Sequence, residues 1–316
     1  MQGRGMPRKY RNLILAGKRP VPHTTRMKKL YSLAWTLVAI PCFAGAQGAP
    51  TAAYVTSLIR ERSGVEARTP TVDTFKAGDP ATRVTGIAVT MMATLDVLKR
   101  AVARGDNLII THEPTFYSHR DTVAVLESEN DRVLAAKKKY INDHGLIVWR
   151  FHDIPHAMKP DMIRAGIVRA LGWESRIRNG DAEVFDLPRT TVRALANQLA
   201  EKLGARAVRI SGDATATVSS AVLTQGFPGF AGNRRAIQRG MPDVVIIGED
   251  HEWETIEYVA DAISAGQVKG LIVLGHIASE QLGMEEFARW LRPIVPDVRV
   301  DFVPTTDPFR SIGKLK

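Results

Sequence analysis

Residues 108–114 read Leu-Ile-Ile-Thr-His-Glu-Pro, an apolar run that ends abruptly in a histidine and a carboxylate. A helical pattern over residues 94–104 precedes this run, and Gly105 marks its end. A short apolar run bounded in this way is typical of a buried strand. Because functional groups in open α/β sheets gather where strands end, His112 and Glu113 are candidate site residues.

Three further predicted strands also run directly into histidines and carboxylates. The residues that follow the apolar runs 146–151, 244–248 and 271–275 are, in that order, His152, Asp153 and His156; Glu249 and His251; and His276 and Glu280. Helical patterns separate these strands, and strands alternating with helices favour an α/β protein. A weak seam at residues 186–191 divides the predicted elements into an N-terminal half, about 51–185, and a C-terminal half, about 186–316.

The positive charge of the chain belongs to its first residues. The 316-residue sequence has a formal net charge of +10, yet residues 1–46 contain nine Lys or Arg and no Asp or Glu. Residues 47–316 hold 34 basic and 33 acidic residues, so this part of the chain is nearly neutral. The charge therefore gives no support for nucleic-acid binding.

Residues 1–46 have the anatomy of a leader with a signal peptide. A cationic start at Met27 to Lys29 precedes an apolar run over residues 30–43, and Ala44-Gly45-Ala46 forms a small-residue cleavage site. We expect translation to begin at Met27, cleavage after Ala46 and export to the periplasm or beyond. The alternatives are an uncleaved anchor and a long natural segment before Met27, although the apolar run is short for a membrane span.

Histidine and carboxylate ligands without thiolates indicate a transition-metal site. Cys42 is the only cysteine of the chain and lies before the predicted cleavage point, which excludes a disulfide scaffold and a cysteine-ligated zinc site. His276 and Glu280 are four residues apart, so in the first turn of a helix they face the same way. A single histidine at a strand end is more often a capping or surface residue, but several together favour metal binding.

Two other segments allow simpler interpretations. The glycine-rich residues 226–232 predict either a flexible loop or a loop that lines the site, because no P-loop lysine follows them. A charged helix is predicted over about 122–144, and its densest part, residues 127–139, is interpreted as a solvent-facing surface.

In their order along the chain, these segments resemble the Nif-three-like dinuclear metal-centre family, whose members are also called GTP cyclohydrolase I type 2 homologues. The family's T-H-H-P motif corresponds to residues 111–114, its H-x-x-x-D segment to residues 152–156 and its G-E segment to residues 248–249. Its final G-H-x-x-S-E motif is intact at residues 275–280. The resemblance spans about residues 51–316. It implies two related α/β halves around a metal-binding cleft, and a toroidal hexamer.

The resemblance also implies a set of metal ligands, which are His112, Glu113, His156, His276 and Glu280. Glu113 stands where the family has a histidine and His156 where it has an aspartate, but both substitutes are competent ligands. Asp153 is the rival carboxylate for the role of His156. Four neighbouring residues are expected to orient the ligands or to act as a general base, namely His152, Asp153, Glu249 and His251.

These observations predict an exported protein that binds one or two divalent transition-metal ions, with Zn, Mn and Fe all compatible with the ligands. The leading functional hypothesis is a hydrolase that uses a metal-activated water on a small phosphoester, ester or cyclic amide. The alternative is a non-catalytic metal-binding or assembly protein of the same fold. The expected partners are a small-molecule substrate and further copies of the chain. No nucleic acid, and no stable membrane span after cleavage, is expected.

Overall fold

The computed structural model describes residues 48–310, which fall within one compact unit, Gln47–Lys316. The predicted signal peptide and its cleavage site lie outside the described residues. The strands within residues 48–310 are β1 (Phe75–Ala77), β2 (Ile87–Thr90), β3 (Leu108–Thr111), β4 (Ile147–Arg150), β5 (Ile177–Arg178), β6 (Asp181–Thr191), β7 (Arg209–Gly212), β8 (Thr217–Thr224), β9 (Val244–Ile247), β10 (Gly270–Val273) and β11 (Val300–Phe302).

Helices alternate with these strands, as the sequence pattern predicts. The α-helices are α1 (Ala52–Ser63), α2 (Leu95–Arg104), α3 (Ala124–Ser128), α4 (Arg132–Asp143), α5 (Asp153–Ala157), α6 (Met162–Leu171), α7 (Val192–Leu203), α8 (Gly229–Gly240), α9 (Glu257–Ser264) and α10 (His276–Leu291). A π-helical turn, Glu252–Ile256, leads into α9. None of the helices within residues 48–310 is both long enough and apolar enough to cross a membrane.

Two sheets form the framework. The first has the strand order β1-β4-β3-β2-β11, and the second has the order β5-β6-β8-β9-β10-β7. The central strands of both sheets run parallel, and β3, β4, β9 and β10 are buried along their whole length, as expected where helices cover both faces of a sheet. The predicted α/β fold with two halves is therefore confirmed.

The two sheets divide the chain at a different place from the one that the sequence indicates. The expected boundary at 185/186 falls inside β6, which pairs with β8 from Val184 to Thr191. Pro188 lies where the β6–β8 register is interrupted, between Asp186 and Thr190. In addition, β11 returns from the C-terminal part of the chain to pair with β2 of the first sheet.

Helices α6 and α10 join the two sheets. Ile163 and Phe287 belong to the apolar core against the first sheet, whereas Ile167 of α6 belongs to the core against the second. The two helices touch where Gly166 meets Gly283, since a Cβ on Gly166 would lie 2.5 Å from the Gly283 Cα. A larger residue at either position would push the helices apart, and with them the two sheets.

Local differences from the predicted elements have identifiable causes. The single helix expected over about 122–144 is broken into α3 and α4 at Asn130, which adopts a left-handed φ of 53°. The last helix begins at His276, so His276 and Glu280 lie in its first two turns. The glycine-rich segment 226–232 is a short loop followed by the first turn of α8. The polar segment 69–80 contains the edge strand β1.

Candidate metal centre

The ends of strands from both sheets meet at one cluster of side chains. His112 and Glu113 follow β3 of the first sheet, and their amides continue its ladder by donating to the Thr90 and Met91 carbonyls. Glu280, on the first turns of α10 after β10 of the second sheet, brings its Oε2 to 3.6 Å from the His112 Nε2. The two halves therefore contribute ligands to the same point.

The surroundings of His112 suit coordination of a metal ion. Its ring is fully buried, and its Nδ1 donates to the Phe151 carbonyl at 3.0 Å. This bond leaves Nε2 as the atom with the free lone pair, and Nε2 is buried without a hydrogen-bond partner in residues 48–310. Burial, reinforced by the charges of His152 and His156, holds the pKa of His112 well below its usual range. A neutral imidazole with an unpartnered buried nitrogen fits a metal ion.

The other three histidines of the cluster are each held at Nδ1 by a carboxylate. The Nδ1 distances are 3.1 Å from His152 to Asp153, 3.0 Å from His156 to Asp161, and 2.9 Å from His276 to Glu249. Carboxylate–histidine pairs of this kind fix the ring and increase its basicity toward a metal at the other nitrogen.

His156, rather than Asp153, lies among the possible ligands. One ring nitrogen from each of His112, His152 and His156 lies within 4.8 Å of the others. Asp153 instead accepts hydrogen bonds from the Thr71 hydroxyl at 2.8 Å and the Val72 amide at 3.1 Å. Its carboxylate is thus committed to fixing His152, and His152 joins the set of candidate ligands.

Asp73 shapes the turn that carries these residues. Its buried carboxylate accepts from the amides of His152, Asp153 and Ile154 at 2.7, 2.9 and 2.8 Å. These three bonds satisfy the free amides at the start of α5, as a capping carboxylate does. No sequence pattern indicates this role, because Asp73 lies 79 residues before His152.

Two carboxylates complete the centre. One atom from each of His112, Glu113 and Glu280 forms a second possible ligand group within 4.8 Å, so the two groups share His112. His276 lies against both carboxylates, with its Nε2 3.3 Å from Glu113 Oε1 and 3.0 Å from Glu280 Oε2. The contact with Glu280 follows from the four-residue spacing in α10.

The histidines and carboxylates of the cluster shift one another's pKa values. Burial alone would lower the pKa of His276, but hydrogen bonds to Glu113, Glu249 and Glu280 outweigh it and raise the pKa to about 12. Burial would likewise raise the pKa of Glu113, yet its bond to His276 and the nearby histidines hold that pKa far below its usual range. Without a metal ion, a protonated imidazole therefore lies between carboxylates that are suited to holding a metal cation.

Arg150 is a buried cation that the strand pattern did not reveal as part of the site. Its Nε donates to the His112 carbonyl at 3.0 Å, and its Nη1 donates to the His119 carbonyl. Its Nη2 lies 3.5 Å from Glu113 Oε2. The guanidinium thus fixes the backbone on both sides of Glu113 and balances the charge of this residue.

The glycine-rich segment lines the site, which selects one of the two interpretations of residues 226–232. Gly226 has a φ of 62°, and a Cβ at this position would lie 2.3 Å from Glu280 Oε1. Its amide donates to the Ser279 hydroxyl at 3.0 Å, and that hydroxyl donates to the His276 carbonyl at 2.8 Å. The serine of the G-H-x-x-S-E motif therefore joins the loop to the helix that carries His276 and Glu280.

A cavity of about 740 Å³ opens beside the cluster, and His152, His156, His276, Glu113, Glu249 and Glu280 all line it. His251 is not among its lining residues within 48–310. It is exposed, its ring stacks on Trp253 with 4.6 Å between centroids, and its Nδ1 lies 3.3 Å from Glu254. The geometry thus does not support the expected role of His251 as a base. Glu249, in contrast, contacts the candidate ligand His276.

The comparisons with known proteins agree with this architecture. A model of the family Duf34/NIF3 (NGG1p interacting factor 3) matches residues 75–308. No curated protein matches the sequence. The fold is similar to that of the Staphylococcus aureus hypothetical protein SA1388, with 16% identity over 84% of this chain and 100% of that chain and a TM-score of 0.65.

Two further solved structures share the fold. A Bacillus cereus protein related to NIF3 is 12% identical over 84% of this chain and 100% of that chain, with a TM-score of 0.65. Reduced HcgD from Methanocaldococcus jannaschii is 13% identical over 80% of this chain and 98% of that chain, with a TM-score of 0.52. Because the family model matches well over half of the chain, this protein belongs to the Duf34/NIF3 family.

Proposed function

We propose that this protein is an exported, metal-dependent hydrolase of small molecules. The proposal is supported by four Nδ1-anchored histidines that converge with Glu113 and Glu280 beside one cavity, and all of these residues except the fully buried His112 line its wall. His112, His152, His156, His276, Glu113 and Glu280 would hold one or two divalent transition-metal ions. A bound ion of this kind lowers the pKa of water and polarises an oxygen of the substrate.

The side chains at the site favour water as the attacking group. Residues 48–310 contain no cysteine. The Ser279 hydroxyl is already engaged, as it accepts from Gly226 and donates to the His276 carbonyl. A serine held in this way has no general base to activate it. Hydrolysis by a protein side chain as nucleophile is therefore disfavoured at this cluster.

Glu249 is placed to carry protons between the site and solvent. Its side chain is 50% exposed, whereas that of Glu113 is 12% exposed and that of Glu280 is 4% exposed. It also accepts from the Nδ1 of His276, so a proton that it takes up is shared with a ring at the cluster. Glu113 and Glu280 are suited to holding cations, and Glu249 to general-base work.

The test is a panel of phosphomonoester, phosphodiester, ester and lactam substrates, assayed with added Mn or Zn and again with a chelator. Chelator-sensitive turnover that is lost in Glu280→Gln is the expected result. Metal bound at full occupancy with no turnover on any substrate would contradict the hydrolase. That result would favour the alternative, a metal-binding or assembly protein.

Export and assembly complete the proposal. The cationic start, apolar run and Ala44-Gly45-Ala46 site support cleavage after Ala46 and a location in the periplasm or outside the cell. N-terminal sequencing of native protein should read Gln47 first, and an intact residue 1–26 segment would contradict this. The motif resemblance supports a homohexamer, which light scattering of the processed protein would distinguish from a monomer.

A further inference from the structure

Lys137 is a buried cation in the wall of the cavity that the candidate metal ligands line. Its residue exposure is 5%, and its Nζ donates to the Thr115 carbonyl. Within residues 48–310, no carboxylate oxygen lies within 4.0 Å of this Nζ. The next two lysines of α4 differ in this respect, since Lys138 pairs with Glu127 and Lys139 pairs with Asp143. Of these three lysines, only Lys137 lines the cavity, and only Lys137 lacks an acidic partner among the described residues.

Burying the Lys137 ammonium with no anion beside it costs folding free energy. A buried ammonium loses hydration, and a carbonyl partner does not neutralise its charge. Burial lowers the pKa of Lys137 to about 8, and the more distant charge of Asp121 opposes this effect. The amine is therefore still mostly cationic at neutral pH. A buried charged group that lines a cavity and has a shifted pKa is a candidate functional residue.

The neighbours of Lys137 extend the subsite. The Thr115 hydroxyl is buried and has no hydrogen-bond partner in the described part of the chain. The ring of Tyr117, 58% exposed, has its centroid 5.1 Å from the Lys137 Nζ, and the residue holds a left-handed φ of 64°. Phe227, 46% exposed, lines the same cavity. Arg164 lines it as well, but its guanidinium is already paired with Glu183 at 2.9 Å.

We propose that Lys137 binds an oxyanion of the substrate, a carboxylate or a phosphoryl group, while Tyr117 and Phe227 contact the apolar remainder. The proposal rests on the proposed function and specifies its substrate class as a small organic anion. Lys137 is a binding residue set apart from the metal ligands. Its charge attracts the anion, and the aromatic rings favour a planar or apolar group beside it.

The experiment measures two probes that cannot be hydrolysed, phenylphosphonate and benzoate, by calorimetric titration into metal-loaded protein. The variants are Lys137→Met, which keeps the length of the side chain without its charge, and Lys139→Met, which makes the same charge change two residues away on the exposed surface. We expect at least one probe to bind about 10- to 100-fold more weakly to Lys137→Met. Lys139→Met and the metal content of both variants should be unchanged.

The outcomes separate the possibilities. A loss limited to phenylphosphonate identifies a phosphoryl group, and a loss limited to benzoate identifies a carboxylate. Equal affinity of Lys137→Met and wild type for both probes overturns the proposal, as does an equal loss in Lys139→Met. Failure of the hydrolase itself looks different, because probe binding would still depend on Lys137 while no substrate is turned over.

Discussion

The Arg150 guanidinium lies 3.5 Å from the Glu113 carboxylate, and the Arg150 side chain is completely buried next to the candidate metal ligands. Glu113 occupies the position of a histidine in the family motif, so the substitution adds a negative charge to a buried site. Arg150 supplies the compensating charge and also donates to the carbonyls of His112 and His119. A carboxylate at this position is thereby stabilised as a ligand rather than left as an unpaired buried charge.

Arg150→Met should therefore destabilise the protein strongly. The substitution leaves Glu113 without its cation and two carbonyls without a donor, which costs about 3–5 kcal/mol. Urea denaturation of metal-depleted protein, followed by circular dichroism, measures the loss. Arg169→Met removes the cation of a more exposed pair, with Glu286, and should cost less than about 1 kcal/mol. Equal stability of Arg150→Met and wild type would show that the pair contributes nothing.

Metal content should depend on the cluster and not on histidines elsewhere. We expect about one to two transition-metal ions per chain in the purified protein, and fewer in the double variant His276→Ala with Glu280→Ala, which leaves His112, His152 and His156 in place. His144→Ala is the matched control, because His144 packs against Tyr140 at the end of α4 and lies outside the cluster. Elemental analysis decides the matter, and equal metal in the double variant and wild type would refute the assignment.

Asp161→Asn should weaken metal binding without disturbing the fold. Its Oδ2 holds the Nδ1 of His156, and its Oδ1 caps α6 by accepting from the Arg164 amide at 3.0 Å. Asparagine keeps the helix cap but removes the negative charge that contacts the His156 ring. Metal affinity should therefore fall by about 10- to 100-fold. Competition with a chromophoric chelator measures this change.

Asp131→Asn provides the control for that experiment. Asp131 caps α4 in the same way, through the Leu134 amide at 2.7 Å, and is not among the candidate ligands or their partners. Its substitution should leave metal affinity unchanged. If both variants lost affinity equally, the effect would come from helix capping rather than from the Asp161–His156 pair.

Lys137→Met should stabilise the protein at neutral pH. Burial holds the folded-state pKa of Lys137 near 8, below its ordinary value of 10.5, so the folded state sheds its proton first as pH rises. Below pH 8 the fold carries the cost of a buried cation, and this cost disappears between about pH 8 and 10.5. The variant should exceed wild type by about 1–3 kcal/mol at pH 7 and converge with it toward pH 10.5.

Denaturation at a series of pH values from 7 to 10.5 tests this behaviour. Lys139→Met should track wild type throughout, because its side chain is 74% exposed. A stability difference between Lys137→Met and wild type that stays constant with pH would show that the buried charge is not its cause.

Several candidate ligands could be predicted from the sequence because they follow apolar runs. A buried parallel strand leaves a clear hydrophobic signal, and the carboxyl ends of such strands gather at one edge, so His112, His276 and Glu280 could be placed together. The spacing of His276 and Glu280 also required a helix, which α10 provides.

The residues that hold the ligands could not be found in the same way. Asp161 reaches His156 only because the turn between α5 and α6 folds back, and no sequence periodicity encodes that turn. Arg150 resembles an ordinary charged residue at the end of a strand. Lys137 lies in a segment interpreted as solvent-facing, and this interpretation is wrong for Lys137, which is buried while Ala136 and Lys139 on the same helix are exposed.

The return of β11 to the first sheet governs when the site can form during folding. The strand that pairs with β2 ends at Phe302, so the sheet that presents His112 and Glu113 is completed only by the last part of the chain. Contacts between residues so far apart in sequence form late and slowly. Neither half made alone would hold a complete set of ligands. Binding of a metal ion at these residues would therefore require the whole domain to fold, and the ion would come from the compartment in which folding finishes.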